Sequence, residues 1–199
     1  MVELIEKKKR AKAIPASLVY EEMNGKPLYR KGYQAVLAKK KTLEEIMGSS
    51  IVLSLIVSAI AGYLRQQLAK QFAVVSSEAG IHLTKGNNLA SDVAVYNKGD
   101  ITNPFSKQYF DFPAQLVVEV DIKADTEHFT TQNDYVIQKT EKLLAFGVPR
   151  VIWIFIEGRK IMVAEPGKDW IIANWNREVE LMDGLRMNLE ALLKEEGVL

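Results

Sequence analysis

The sequence contains no cysteine, which excludes disulfides, thiolate-held metals and a cysteine nucleophile together. Histidine is nearly absent as well. His82 and His128 are the only two, so a His-rich zinc site is not expected and any metal must rest mainly on carboxylates. Oxygen ligands of that kind select a hard cation, Mg or Mn. An excess of charge of either sign is also missing: 26 Lys and Arg face 25 Asp and Glu, for a formal net charge of +1. That balance excludes a histone-like polycation and leaves room for a local basic patch. There is no GxxxxGK[ST] phosphate loop and no GxSxG nucleophile elbow, so the simplest nucleotide-binding and serine-hydrolase readings lapse. No apolar h-region follows the basic run at 6–10, so no signal peptide is expected. A cysteine-free chain fits a reducing, cytoplasmic setting. The uncharged run at 47–64 reaches the lower limit for a membrane span. Gly48, Ser49, Ser50, Ser54, Ser58 and Gly62 interrupt it, and no second such run follows; it reads as a buried helix, with no membrane partner.

What is present suits a globular domain. Of 199 residues, 48% are apolar and 26% charged, enough for one ordinary core. The expected division is a single domain over 1–199, with an N-terminal hairpin and short helices at 1–48, a core at 49–165, and a closing strand and helix at 166–199. Basic clusters stand at 7–12 and 39–41. Between them, Asn24-Gly25 separates two short β-prone runs over 18–29, a hairpin signal. Short helices are expected at 32–38 and 42–47, with Thr42 and Glu45 at capping-box spacing, and a long helix from Ser49 or Ser50 to about 70. Strands follow at 72–76, 81–84, 92–96 and 115–123. A helix is expected over 131–146, closed by Gly147 with Pro149 beyond it. Strands at 151–156, 160–164 and 170–175 and a helix at 187–195 complete an α/β (α+β) pattern, a mixed central sheet flanked by helices.

Strand 115–123 carries the most suggestive chemistry. Alternation puts Leu116, Val118, Val120 and Ile122 on one face and Val117, Glu119, Asp121 and Lys123 on the other. Ionisable groups in a row on an apolar strand require solvent, counter-charge or metal; a solvated sheet face satisfies the first of these. Asp92 opens another buried-looking strand. Two converging strand acids can hold a divalent cation, with the Val120 carbonyl as a further ligand. On the following helix, Val136, Thr140, Leu143 and Gly147 mark the inward stripe, with Lys139 on or beside it. Lys139 is then either a core-facing lysine in need of a carboxylate or a snorkelling one. Glu44, Glu45 and Glu78 could add an acid to the site but read better as solvated; His82 and His128 read as packing or surface residues, and Trp153, Trp170 and Trp175 as core or subunit-contact residues.

Acid, then acid-rich strand, then inward lysine resembles the PD-(D/E)XK nuclease superfamily, and within it the Uma-type family of putative restriction endonucleases. The matching pieces are Tyr20-Glu-Glu-Met-Asn-Gly-Lys-Pro27, Ser91-Asp92-Val-Ala-Val, Leu116-Val-Val-Glu-Val120, Lys139 before Gly147-Val148, and Val151-Ile-Trp-Ile154. The resemblance implies a restriction-endonuclease-like fold and Mg- or Mn-dependent hydrolysis of DNA. It implies Asp92 and Glu119 as metal-binding acids and Lys139 as a helix-borne catalytic lysine. Ser91 replaces the family's proline, Asp121-Ile122 a frequent Leu-Ser, Ser49 or Ser50 a common histidine, and Leu143 an aromatic. Asp121-Ile122-Lys123 also spells (D/E)-x-K, so Lys123 rivals Lys139, and Asp121 becomes either a further ligand or the counter-ion of the lysine. The basic clusters would supply phosphate contacts. Two further readings stay open: a catalytically eroded nuclease-fold module for DNA binding or assembly, and a homodimeric structural domain whose polar strand face is wet.

Overall fold

The computed structural model describes residues 14–127 and 129–199; the basic cluster at 7–12 and His128 lie outside the described residues. A first hairpin, β1 (Val19–Met23) and β2 (Lys26–Tyr29), turns at Asn24 and Gly25, both at positive φ. Short helices α1 (Tyr33–Leu37) and α2 (Glu44–Met47) lead to α3 (Ile51–Gln67). The Ser50 hydroxyl caps α3 by accepting from the Leu53 N–H, and α3 buries Leu53, Ile56, Ile60 and Leu64 along one stripe.

A long hairpin of β3 (Phe72–Thr84) and β4 (Asn87–Asn97) follows, then β5 (Leu116–Val120), α4 (Gln132–Phe146), β6 (Val151–Phe155), β7 (Lys160–Ala164) and β8 (Ile171–Asn174). The chain closes with a hairpin of β9 (Glu178–Met182) and β10 (Leu185–Asn188) and with α5 (Leu189–Glu195). Helix α4 begins in a full capping box between Thr131 and Asp134 and ends at Gly147, whose φ of 111° is the left-handed cap expected there.

The large sheet runs β2-β1-β4-β5-β6-β7-β8, with β3 on the other edge of β4. Strands β5 and β6 are parallel and joined through α4; the other neighbours are antiparallel. Val118 and Val120 face a core shared with α3, α5 and the β9–β10 hairpin. Val117 faces the opposite core, where α4 packs with Tyr135, Leu143 and Trp153. Among the described residues, no helix is long and apolar enough to cross a membrane.

Two strand expectations and one helix expectation need correction. The runs at 72–76 and 81–84 are one strand: Ser76 pairs with Val93, Ala79 pairs with Ser91, and Ser77 and Glu78 bulge out between them at φ 75° and 56°. Strand β5 stops at Val120, because Asp121 adopts φ 61° and turns the chain. Asp121 and Lys123 therefore do not continue the face of Val117 and Glu119, and both faces of β5 are buried rather than one being wet. Residues 187–188 close β10 instead of opening a helix, in a hairpin whose outward Glu178, Glu180 and Arg186 mask a buried Val179 and Leu181.

Candidate active site

One edge of β4 changes partner partway along. It pairs with β1 at Asn88 and with β5 from Val93 onward, so the backbone between them has no strand to bond. Buried polar backbone cannot be left unpaired, and here side chains fill the gap. The Ala90 N–H donates to Glu21 Oε1 at 2.9 Å, and the Ala90 carbonyl accepts from Lys139 Nζ at 2.7 Å. Two residues on, Asp92 Oδ2 accepts from the Val120 N–H at 2.8 Å, just past the last ladder pair of β4 and β5. The site sits at this branch point because the sheet needs polar groups there.

Lys139 projects from α4 into the gap and is 1% exposed. Its ammonium meets Glu21 Oε1 at 2.7 Å, Glu119 Oε2 at 2.9 Å and the Ala90 carbonyl. Those three acceptors use all three of its N–H donors. The Glu21 carboxylate is further held by the Tyr135 hydroxyl, which donates to Oε2 at 2.7 Å. Glu119 is 2% exposed, and its second oxygen, Oε1, is buried with no hydrogen-bond partner among the described residues. Burial pushes the Glu119 carboxyl up to about 8; Lys139 opposes that rise, while Asp92 and Glu21 add to it. Burial acts to lower the Lys139 pKa, but Glu119 and Glu21 outweigh it and hold the ammonium above the ordinary lysine value.

Lys123 belongs to a second, shallower cluster. Its ammonium pairs with Asp92 Oδ1 and lies 3.4 Å from Glu78 Oε1, while Arg30 reaches Glu78 Oε2 at 3.2 Å. The β3 bulge aims Glu78 here, and the Lys31 N–H bond to the Lys123 carbonyl ties the segment after β5 to the end of β2. Lys123 is 15% exposed against 2% for Asp92. A cleft of ≈ 450 Å³ opens over Asp92, Glu78 and Lys123 beneath α3, and one of ≈ 440 Å³ beside it is rimmed by Arg30, Lys31, Lys41, Asp121 and Lys123. Asp121 is half-buried and forms no ion pair among the described residues.

The structure thus brings Asp92, Glu119, Val120, Lys123 and Lys139 to one place, each acid matched with its own lysine. Among the described residues, no group of three or more His, Cys, Asp or Glu side chains is arranged to hold a metal ion. Two carboxylates suffice for Mg, which keeps several waters and completes its shell with substrate oxygens. The unpartnered, buried Glu119 Oε1 is a carboxyl oxygen of the kind a hard cation takes in place of a proton, so the residues fit such an ion. His82 lies away on β3, exposed and bonded to Asn88. Sequence reasoning missed Glu21, although it lies in the quoted Tyr20–Pro27 stretch; its inward parity with buried Met23 was the available signal. Glu78, read as solvated, is half-buried and paired. Its role depends on a bulge that alternation does not show.

The model of the Uma2 family, described as "Putative restriction endonuclease", matches residues 42–194. That span holds Asp92, Glu119, Lys123 and Lys139 and leaves out Glu21. No curated protein matches the chain. Among solved structures, it is similar to a putative nuclease belonging to DUF820 from Anabaena variabilis ATCC 29413, with a TM-score of 0.62 and 14% identity over 87% of this chain and 89% of that one. A likeness at that identity shows the fold, a restriction-endonuclease-like mixed sheet flanked by helices.

Proposed function

We propose, from the premise that this chain belongs to the Uma2 family of putative restriction endonucleases, that it hydrolyses DNA phosphodiester bonds with Mg or Mn. The observation that carries the reading is Glu119: a fully buried carboxylate with one oxygen fixed by Lys139 and the other unpartnered, next to Asp92 where two strands part. Stability alone gives no reason to keep that oxygen unpaired, since such a group costs about 1–3 kcal/mol. Asp92 and Glu119 would hold the ion, with the Val120 carbonyl as a further donor. When bound, the ion supplies charge neutralisation at a phosphodiester oxygen and a more acidic water.

The chain's own residues do the rest. Lys139 has no donor left for a phosphate, so it acts as a positioning residue that locks Glu119 Oε2 and leaves Oε1 as the reactive oxygen. Arg30, Lys31 and Lys41 rim the adjoining cleft, where they neutralise the backbone of a DNA strand without reading its bases. Asp121 lies on the same wall and would orient water there. Residues 1–199 act in this reading as one nuclease domain, with a cytoplasmic setting and a homodimer as its working context.

The test is cleavage of duplex and single-stranded DNA by purified protein. Cleavage is expected in Mg or Mn and not with a chelator, with Asp92→Asn and Glu119→Gln each losing about 100-fold or more, the scale of removing one transition-state contact. The second reading, an eroded DNA-binding or assembly module, draws on the Lys123–Asp92 pair, which neutralises one of the two acids. Salt-sensitive DNA binding without cleavage in either ion would establish it over the nuclease.

A further inference from the structure

We propose that the Lys123 ammonium is an internal cation standing in the place of the divalent ion at Asp92, and that metal loading exchanges one for the other. This rests on the reading of Asp92 as a metal-binding acid and assigns Lys123 a role other than that of the catalytic lysine.

Both oxygens of Asp92 are engaged: Oδ2 by the Val120 N–H inside the sheet, Oδ1 by Lys123 on the cleft side. Asp92 is almost sealed while Lys123 keeps partial exposure, so the ammonium covers the carboxylate from the direction in which an ion arrives. A divalent cation and an ammonium on one carboxylate oxygen repel each other, so the ion binds there most tightly once the ammonium has moved off.

The fold goes to some length to place the ammonium there. Asp121, two residues before Lys123, leaves β5 in the left-handed region. Ser77 and Glu78 both adopt that region in the bulge opposite Asp92, a conformation that costs residues with a side chain about 1–2 kcal/mol each. Together these turns bring Glu78 and Lys123 to Asp92, and Arg30 holds Glu78 from its far side. By contrast, Lys139 cannot be exchanged in this way. It lies behind Glu119 with every donor used, out of contact with the cleft.

Calorimetric titration with Mn²⁺ in the absence of DNA tests the exchange, on wild type, Lys123→Met, Lys123→Arg and Asp92→Asn, with circular dichroism confirming that each is folded. Lys123→Met should bind Mn²⁺ at least 10-fold more tightly than wild type, because the competing charge is gone and the stem is kept. Lys123→Arg, which keeps the charge, should bind no more tightly than wild type. If wild type binds Mn²⁺ through Asp92 and Lys123→Met binds it equally or more weakly, the exchange is wrong and the nuclease reading stands. If neither wild type nor Lys123→Met binds, or Asp92→Asn binds as wild type does, both are wrong. Should Lys123→Met fail to fold, Lys123→Arg decides: tighter binding there overturns the exchange.

Discussion

Replacing Lys139 with methionine keeps most of its volume and removes its charge and all three hydrogen bonds. Glu21 and Glu119 then face each other, buried, with the Ala90 carbonyl unpaired. Removing one partner from a buried ion pair costs about 3–5 kcal/mol. Two acids are orphaned here, but the loss is capped because Glu119, already pushed up to about 8, can take a proton. The sign follows from linkage. An acid whose folded-state pKa lies above its unfolded value adds stability below the unfolded pKa and loses it as pH rises through the folded one. Without Lys139, the group among the described residues that holds Glu119 down, that folded pKa rises further. The penalty of Lys139→Met should therefore be near ~3 kcal/mol at pH 6 and approach ~5 kcal/mol above pH 8. For a domain of this size that is a fall in Tm of roughly 6–20 °C. Urea and thermal melts at the two pH values measure it, and Glu119→Gln placed on Lys139→Met should recover part of the loss. A penalty below about 1 kcal/mol, or one that ignores pH, refutes the closed Lys139 cluster and leaves an exposed, snorkelling lysine.

Glu119→Gln in the otherwise unaltered protein should flatten the pH dependence of metal-free stability. Wild type should lose stability relative to this variant as pH rises from the ordinary carboxylate value of 4.5 through about 8, read from urea midpoints between pH 5 and 9; parallel curves would contradict it. Ser77→Gly should leave stability unchanged or raise it by up to about 1 kcal/mol, because φ 75° strains serine and suits glycine. A drop of more than about 1 kcal/mol in a denaturant titration would mean that the Ser77 side chain has a structural task.

Much of the fold was legible because its strands and helices obey simple periods. The inward stripe of α4 holds at Val136, Thr140 and Leu143, and of the two readings open for Lys139 the buried one applies; Gly147, the left-handed cap beyond the last turn, is exposed. Helix ends marked by Ser50, Thr131 and Gly147 lie where capping chemistry places them. The errors concentrate where a residue with a side chain takes a left-handed conformation. Ser77 and Glu78 turned one strand into two apparent ones, and Asp121 ended β5 three residues before its alternation does. Serine, glutamate and aspartate at those positions carry no local signal for positive φ, as a glycine would. Only the pairing of β3 with β4, and of β5 with β6, forces those angles.

The site was legible in its residue types and not in its pairings. Periodicity on one strand could suggest that Glu119 and Asp92 are buried, but which lysine answers which acid depends on how three strands meet. That meeting also bears on why the charges are there. A buried ion cluster is a costly way to satisfy one backbone amide and one carbonyl at Ala90; neutral side chains or well-packed apolar residues can match or exceed the stability of buried ion pairs. Arranging Lys139 to saturate itself on Glu21, Glu119 and Ala90 satisfies the Ala90 backbone, yet it strands Glu119 Oε1. The neighbouring Asp92 is bridged by a lysine that partly faces solvent. A sheet junction built for stability alone would do the reverse, pairing every buried oxygen and leaving no strained turns around the partly open side. A perturbed, incompletely paired carboxyl such as Glu119, next to an Asp92 that lines a cleft, is the pattern of a working site, and the cost of the cluster falls on the atoms that such a site would use.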